Sequence, residues 1–215
     1  MLPNVRRSIG LHARAGLAAL LFAVPASADA GPPTESASTP AHLAQAFFQY
    51  GVAFTGEFVL APGPMCPAGI ECILGNGGGL AVRVGWRLRS PFYFGAAYEF
   101  SKQEPSQLYR LAILQQVRAE GRYYLLTGRS TEPYVFASAG AVGYGNLWSI
   151  DTAGPTFGLG VGAEFQLSTY IVVGLSLTYR AMFFTAFRDT AATERPAGFA
   201  HVLGVDLILE TRDPF

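Results

Sequence analysis

The sequence predicts an all-β fold: an eight-stranded antiparallel up-and-down transmembrane β-barrel behind an N-terminal signal peptide. Three observations predict it. From about Phe47 onward apolar residues recur at every second position, the period of strands with two unlike faces. Half of the 215 residues are hydrophobic and only 14% are charged, yet beyond the first 30 residues no apolar run is long enough for a spanning helix. The formal net charge is zero and 25 residues are Gly, a composition foreign to disordered chains, basic nucleic-acid binders and collagen-like repeats.

Residues 1–28 read as a signal peptide. Arg6, Arg7 and Arg14 precede the apolar stretch Gly16 to Val24, which is too short to span, and Ala26-Ser27-Ala28 offers small residues for cleavage. Cleavage there removes all three arginines and leaves a net charge of about −3, so no nucleic-acid partner is expected. Residues 29–45 read as a flexible linker, rich in Pro, Ser and Thr over GPPTESASTPA. The barrel is expected over 46–215.

Its eight strands are expected near 47–60, 79–89, 92–102, 108–126, 133–145, 155–167, 170–183 and 198–211. In the third, Phe92, Phe94, Ala96, Tyr98 and Phe100 oppose Tyr93, Gly95, Ala97 and Glu99; in the fourth, Tyr109, Leu111, Ile113, Val117, Ala119, Tyr123 and Leu125 oppose Arg110, Gln116, Arg118, Glu120 and Arg122. A long Cys-containing loop follows the first strand and a tight turn at Arg89-Ser90-Pro91 follows the second. Connections that alternate in length are those of a membrane barrel, with the loops after strands one, three, five and seven facing outward.

A soluble barrel turns its apolar face inward, whereas a membrane barrel turns it toward lipid, which cannot satisfy charges. The polar faces carry Glu57, Arg83, Arg87, Arg89, Glu99, Arg110, Arg118, Glu120, Arg122, Glu164, Arg180, Asp206 and Glu210. Arginines and carboxylates are nearly balanced there, as a closed interior ionic network requires, because each charge withdrawn from water needs a partner. A solvated surface would more often use Lys, and the chain has one, Lys102. Aromatics gather toward both strand ends: Trp86, Phe92, Tyr123, Tyr134, Phe165 and Tyr170 toward the turns, and Phe58, Phe100, Tyr109, Phe157, Phe183 and Phe199 toward the loops. Two such girdles around an aliphatic band match bilayer interfaces. Inward glycines are expected to make room for Arg side chains of neighbouring strands.

The strand pattern, the signal peptide and the segments PYVFASAGAVGYG (133–145) and GLGVGAEF (158–165) make residues 45–215 resemble the small eight-stranded outer-membrane barrels of the OmpA and OmpX type. The resemblance implies the cell outer membrane as location, outer-membrane lipid as surroundings and the barrel-assembly machinery as a partner during biogenesis. It implies a non-enzymatic role in envelope structure, or in surface interaction with an extracellular or envelope partner through the loops. Such barrels end on an aromatic residue; here Phe215 is preceded by Asp213-Pro214, which interrupts the alternation.

Cys66 and Cys72 enclose PAGIE in the first outward loop and are expected to form a disulfide in an oxidising compartment, with free thiols as the alternative. Two thiolates without a nearby His make a poor metal site. Gly158, Gly160 and Ala163 fit a dinucleotide fingerprint only in spacing, since the strand period continues where a helix would have to begin. No cofactor or metal is expected. Lipid-modifying barrel enzymes need a nucleophile served by an oriented His. His42 lies in the linker, His201 is followed by Val202 and Leu203 and so lacks a His-x-Ser pattern, and Ser138 and Ser176 have no adjacent base in sequence. No catalytic residue is therefore expected. A lipid-modifying enzyme, a narrow pore or small-ligand conduit, and a soluble lipocalin-like barrel are the competing readings. Trp148 is expected either as a loop contact or as an interfacial anchor.

Overall fold

The structure, a computed structural model, describes residues 46–89, 91–103 and 108–214. The signal peptide, the linker with His42, Ser90 of the tight turn, residues 104–107 and Phe215 lie outside the described residues. The strands are β1 (Phe47–Ala61), β2 (Gly77–Arg87), β3 (Phe92–Gln103), β4 (Ala112–Tyr124), β5 (Thr131–Asn146), β6 (Thr152–Gln166), β7 (Ile171–Phe184), β8 (Phe187–Arg188), β9 (Glu194–Arg195) and β10 (Gly198–Pro214).

Seven strands pair with their sequence neighbours or, for β7, with β10, and β10 pairs with β1 to close an eight-stranded antiparallel barrel. The short β8–β9 hairpin lies in the connection between β7 and β10. The connections between β2 and β3, β4 and β5, and β6 and β7 collect at one end, and those after β1, β3, β5 and β7, the first (62–76) and last (185–197) of them the longest, at the other. We call these the turn end and the loop end.

The alternation in the sequence becomes two faces of one wall. Phe54 (61% exposed), Val82 (59%) and Leu159 (67%) point outward, whereas Glu57, Arg83, Glu120 and Arg180 are buried inside. This polarity is the inverse of a water-soluble barrel and suits a wall solvated by lipid. Closure also removes both sheet edges, so no ladder is left unpaired in an apolar medium.

The expected fourth strand, 108–126, contracts to 112–124 because Tyr109 turns inward, its hydroxyl donating to the Asp151 carboxylate (2.9 Å), while the Leu111 amide is taken by Asn146 (3.2 Å). The last strand runs past 211 because Arg212 continues the inward parity onto interior carboxylates. Of the expected girdle residues, Trp86, Phe92, Tyr123, Phe165, Tyr170, Phe58, Phe157 and Phe199 are on the outer wall, but Tyr134 and Tyr109 are buried inside. Tyr134 belongs to the inward parity of β5 together with Glu132 and Phe136.

Candidate functional site

The lumen is filled from the loop end to the turn end by a continuous column of ion pairs. Arg180 contacts Glu99 (2.7 Å), Glu57 (3.2 Å) and Asp206 (3.6 Å). Glu99 also binds Arg118 (2.5 Å), which reaches Glu120 (3.1 Å). Glu120 pairs with Arg83, and Arg83 and Arg122 both meet Glu210, at 3.5 and 2.9 Å. Arg122 reaches Glu164 (2.7 Å), which pairs with Arg212, and Glu132 joins Arg212 (3.4 Å) to Arg87 (2.6 Å). Neutral groups take up remaining lone pairs: Ser101 and Gln103 donate to Glu57 (both 2.5 Å), Ser176 to Asp206 (2.9 Å) and Tyr124 to Glu164 (2.5 Å). The guanidinium fork suits this column because one planar group can serve two or three carboxylates.

Of the residues expected on the inward polar faces, the structure brings together Glu57, Arg83, Arg87, Glu99, Arg118, Glu120, Arg122, Glu164, Arg180, Asp206 and Glu210. Arg110, expected in the network, is instead exposed ahead of β4, because the inward turn of Tyr109 reverses the parity there; Arg89 is exposed just beyond β2. Parity reasoning missed Glu132, Arg212 and Gln49. Their signal was present: Glu132 and Arg212 continue the inward alternation just beyond the expected strand bounds, and Gln49 stands at an inward position within the expected first strand but is uncharged. The column thus holds six arginines and seven carboxylates, all buried.

Only part of the expected role of the inward glycines is seen. A Cβ on Gly204 would lie 3.2 Å from the Arg180 guanidinium, so that glycine does accommodate an arginine. At Gly162 and Gly160 the space is taken by rings: a Cβ would come within 2.5 Å of Tyr134 and of Phe136 respectively. These two rings and Tyr124 pack against one another at a tilt, with centroids 5.4 and 5.8 Å apart, and Arg122 lies over Tyr93 at 4.2 Å. The turn half of the column is therefore walled by aromatic faces that suit cations.

At the loop end the polar column gives way to an apolar stopper. The connection 62–76 folds into the mouth rather than standing free. Met65, Ile73 and Leu74 are buried against Tyr109, Leu114, Val142, Tyr144, Met182, Phe184 and Val202. Cys66 and Cys72 form a disulfide. The Tyr144 hydroxyl donates to the Ile73 carbonyl, and Asn76 accepts from the Val59 amide (2.8 Å). Arg195, buried, donates from Nη1 to the Met65 carbonyl (2.6 Å) and from Nη2 to the Glu71 carbonyl (2.8 Å). Asp189 holds the other edge of that guanidinium, 2.9 Å from Nε and 2.8 Å from Nη2. No pattern in the sequence marked Arg195 or Asp189, since a two-residue hairpin carries no readable period.

Burial disfavours the Asp189 carboxylate, but the amides of Thr193 and Ala191 and the Arg195 guanidinium outweigh it and hold its pKa below the ordinary value. Because the folded value lies below the unfolded one, the stabilisation is complete above the unfolded pKa and fades as pH falls through the folded one. The stability advantage of the wild type over Asp189→Asn should be constant above about pH 5 and shrink progressively on acidification below the unfolded carboxyl's pKa of about 4. Denaturant titration at stepped pH checks this, and an advantage that grows on acidification would refute it. Burial and the bond to Asp151 likewise raise the Tyr109 phenol well above its usual value.

Trp148 (72% exposed) stacks on Phe100 of the outer wall with ring centroids 5.2 Å apart, and Ile150 packs against Gly143 beside it. The loop thus folds down onto the wall, with the Trp148 indole against the outer face and largely exposed. His201 is also on the outer face, its Nδ1 2.7 Å from the Tyr179 hydroxyl, while Ser176 is inside, on the opposite face of the wall. Among the described residues no group of three or more His, Cys, Asp or Glu side chains is arranged to hold a metal ion.

No protein-family model and no curated protein sequence matches this chain. Solved structures do. The outer membrane protein OprG from Pseudomonas aeruginosa is 10% identical, with a TM-score of 0.50 over 79% of this chain and 96% of that one. The outer membrane protein AlkL, solved in lipid bilayers, is 13% identical, with a TM-score of 0.51 over 87% of this chain and 98% of that one. At these identities the likeness is one of fold: the chain is a small eight-stranded barrel of the outer-membrane type.

Proposed function

We propose that this chain is a non-enzymatic integral barrel of the cell outer membrane, with a plugged lumen, serving envelope structure or surface interaction through its outward loops. The observation that carries the reading is the filled interior: six arginines and seven carboxylates from end to end, closed at the loop end by Met65, Ile73 and Leu74. Eight strands leave space only for side chains, and here those side chains are locked in ion pairs. The separation of His201 and Ser176 onto opposite faces of the wall argues against a nucleophile and base acting together.

Reconstituted into planar bilayers, the wild-type protein should show no discrete conductance steps. Sustained single-channel openings would overturn the plugged reading. The location is tested by cell fractionation followed by gel mobility with and without boiling. Recovery in the outer membrane with a heat-dependent shift is expected, and recovery in the soluble periplasm would overturn it.

A further inference from the structure

We infer that the connection 62–76 is a thiol-sensitive stopper, in which the Cys66–Cys72 disulfide holds two carbonyls in the register that Arg195 reads. The inference rests on the reading of 62–76 as an outward loop. The two acceptors of the Arg195 fork are the carbonyls of Met65 and Glu71, each belonging to the residue just before one of the paired cysteines. The disulfide therefore joins the two strands of chain whose carbonyls the guanidinium spans. A planar guanidinium loses little freedom when its acceptors are already fixed at the matching separation, and much more when they move independently. Asp189 presses the fork against the loop from behind.

Both cysteines are partly exposed and the tip 68–71 is open to solvent, so a small thiol can reach the bridge. A thiolate of an added dithiol attacks one sulfur, forming a mixed disulfide and releasing the other cysteine as a thiolate. The second thiol of the reagent then closes its own disulfide and frees the remaining cysteine. Two electrons pass from reagent to protein, and the two cysteine sulfurs end as thiols. The two carbonyls are then uncoupled, Arg195 loses its bidentate seat, and Met65, Ile73 and Leu74 are free to leave the mouth. Closed, the loop keeps Met65, Ile73 and Leu74 out of solvent; released, it displays them and uncovers Leu114, Tyr144 and Val202. The ionic column below is built from strand residues and stays in place.

Amide hydrogen exchange of the full-length protein in detergent micelles tests this, read on peptides covering 62–76, with the boiling-dependent mobility shift as the control for an intact barrel. In the wild type, dithiothreitol should speed exchange of this loop by about ten-fold or more and leave the barrel strands unchanged. In Arg195→Gln, exchange should already be fast when oxidised, and dithiothreitol should add little, because the disulfide acts through the latch. If dithiothreitol leaves the wild-type loop protected, or speeds both proteins equally, the inference is overturned. Should Arg195→Gln not fold, Asp189→Asn serves in its place under the same criteria. The readout needs neither a bilayer nor a conductance measurement, so its failure and that of the plugged-barrel reading are separable.

Discussion

Glu120→Gln is expected to destabilise the folded barrel by about 3–5 kcal/mol, because removing one partner from a buried ionic group strands the others. Glu120 stands between three guanidinia: it pairs with Arg83, with Arg118 at 3.1 Å and with Arg122 at 3.7 Å. Its side chain is 1% exposed, so water cannot take its place. The neutral amide keeps the shape of the carboxylate, so the loss reports charge and not packing. Denaturant titration in detergent micelles, scored by the mobility difference between folded and unfolded protein, gives the value. A variant within about 1 kcal/mol of wild type would show that the column relaxes around the missing charge.

Gly162→Val should cost about 1–3 kcal/mol through overpacking. A Cβ at this site would lie 2.5 Å from the Tyr134 ring and 2.8 Å from the Leu175 carbonyl. The carbonyl belongs to the ladder with β7, and the ring is held between Tyr124 and Phe136, so neither can retreat cheaply. Tyr134→Ala should recover part of the loss when combined with Gly162→Val. The double-mutant cycle measures this, and strictly additive losses would mean that the ring and the glycine are not partners.

The charged column was largely legible because an inward position in a strand is a matter of parity, and parity is printed in the chain. Glu99, Arg118, Glu120 and Arg122 sit at alternate positions with apolar residues between them. Parity fails where the chain leaves the ladder. Arg110 reads as inward by counting back from Arg118, yet β4 begins only at Ala112 and the bond of Tyr109 to Asp151 turns the chain over. Arg212 shows the converse, an inward residue beyond the expected strand end that is drawn in by Glu164. The cysteine pairing was legible from six-residue spacing and compartment. The position of the loop was not, because Met65, Ile73 and Leu74 are too few and too unevenly spaced to show a face.

What the sequence determined by itself is the wall: a two-residue period forces alternate side chains to opposite faces, and a face of arginines and carboxylates can be closed away from water only if the charges meet one another. Who meets whom was decided by tertiary structure alone. Arg180 finds Glu57 across 123 positions of sequence, and Arg195 finds Met65 across 130. Such partners are set by barrel closure and by the way the long connections fold back into the mouth, and neither is encoded in any local pattern.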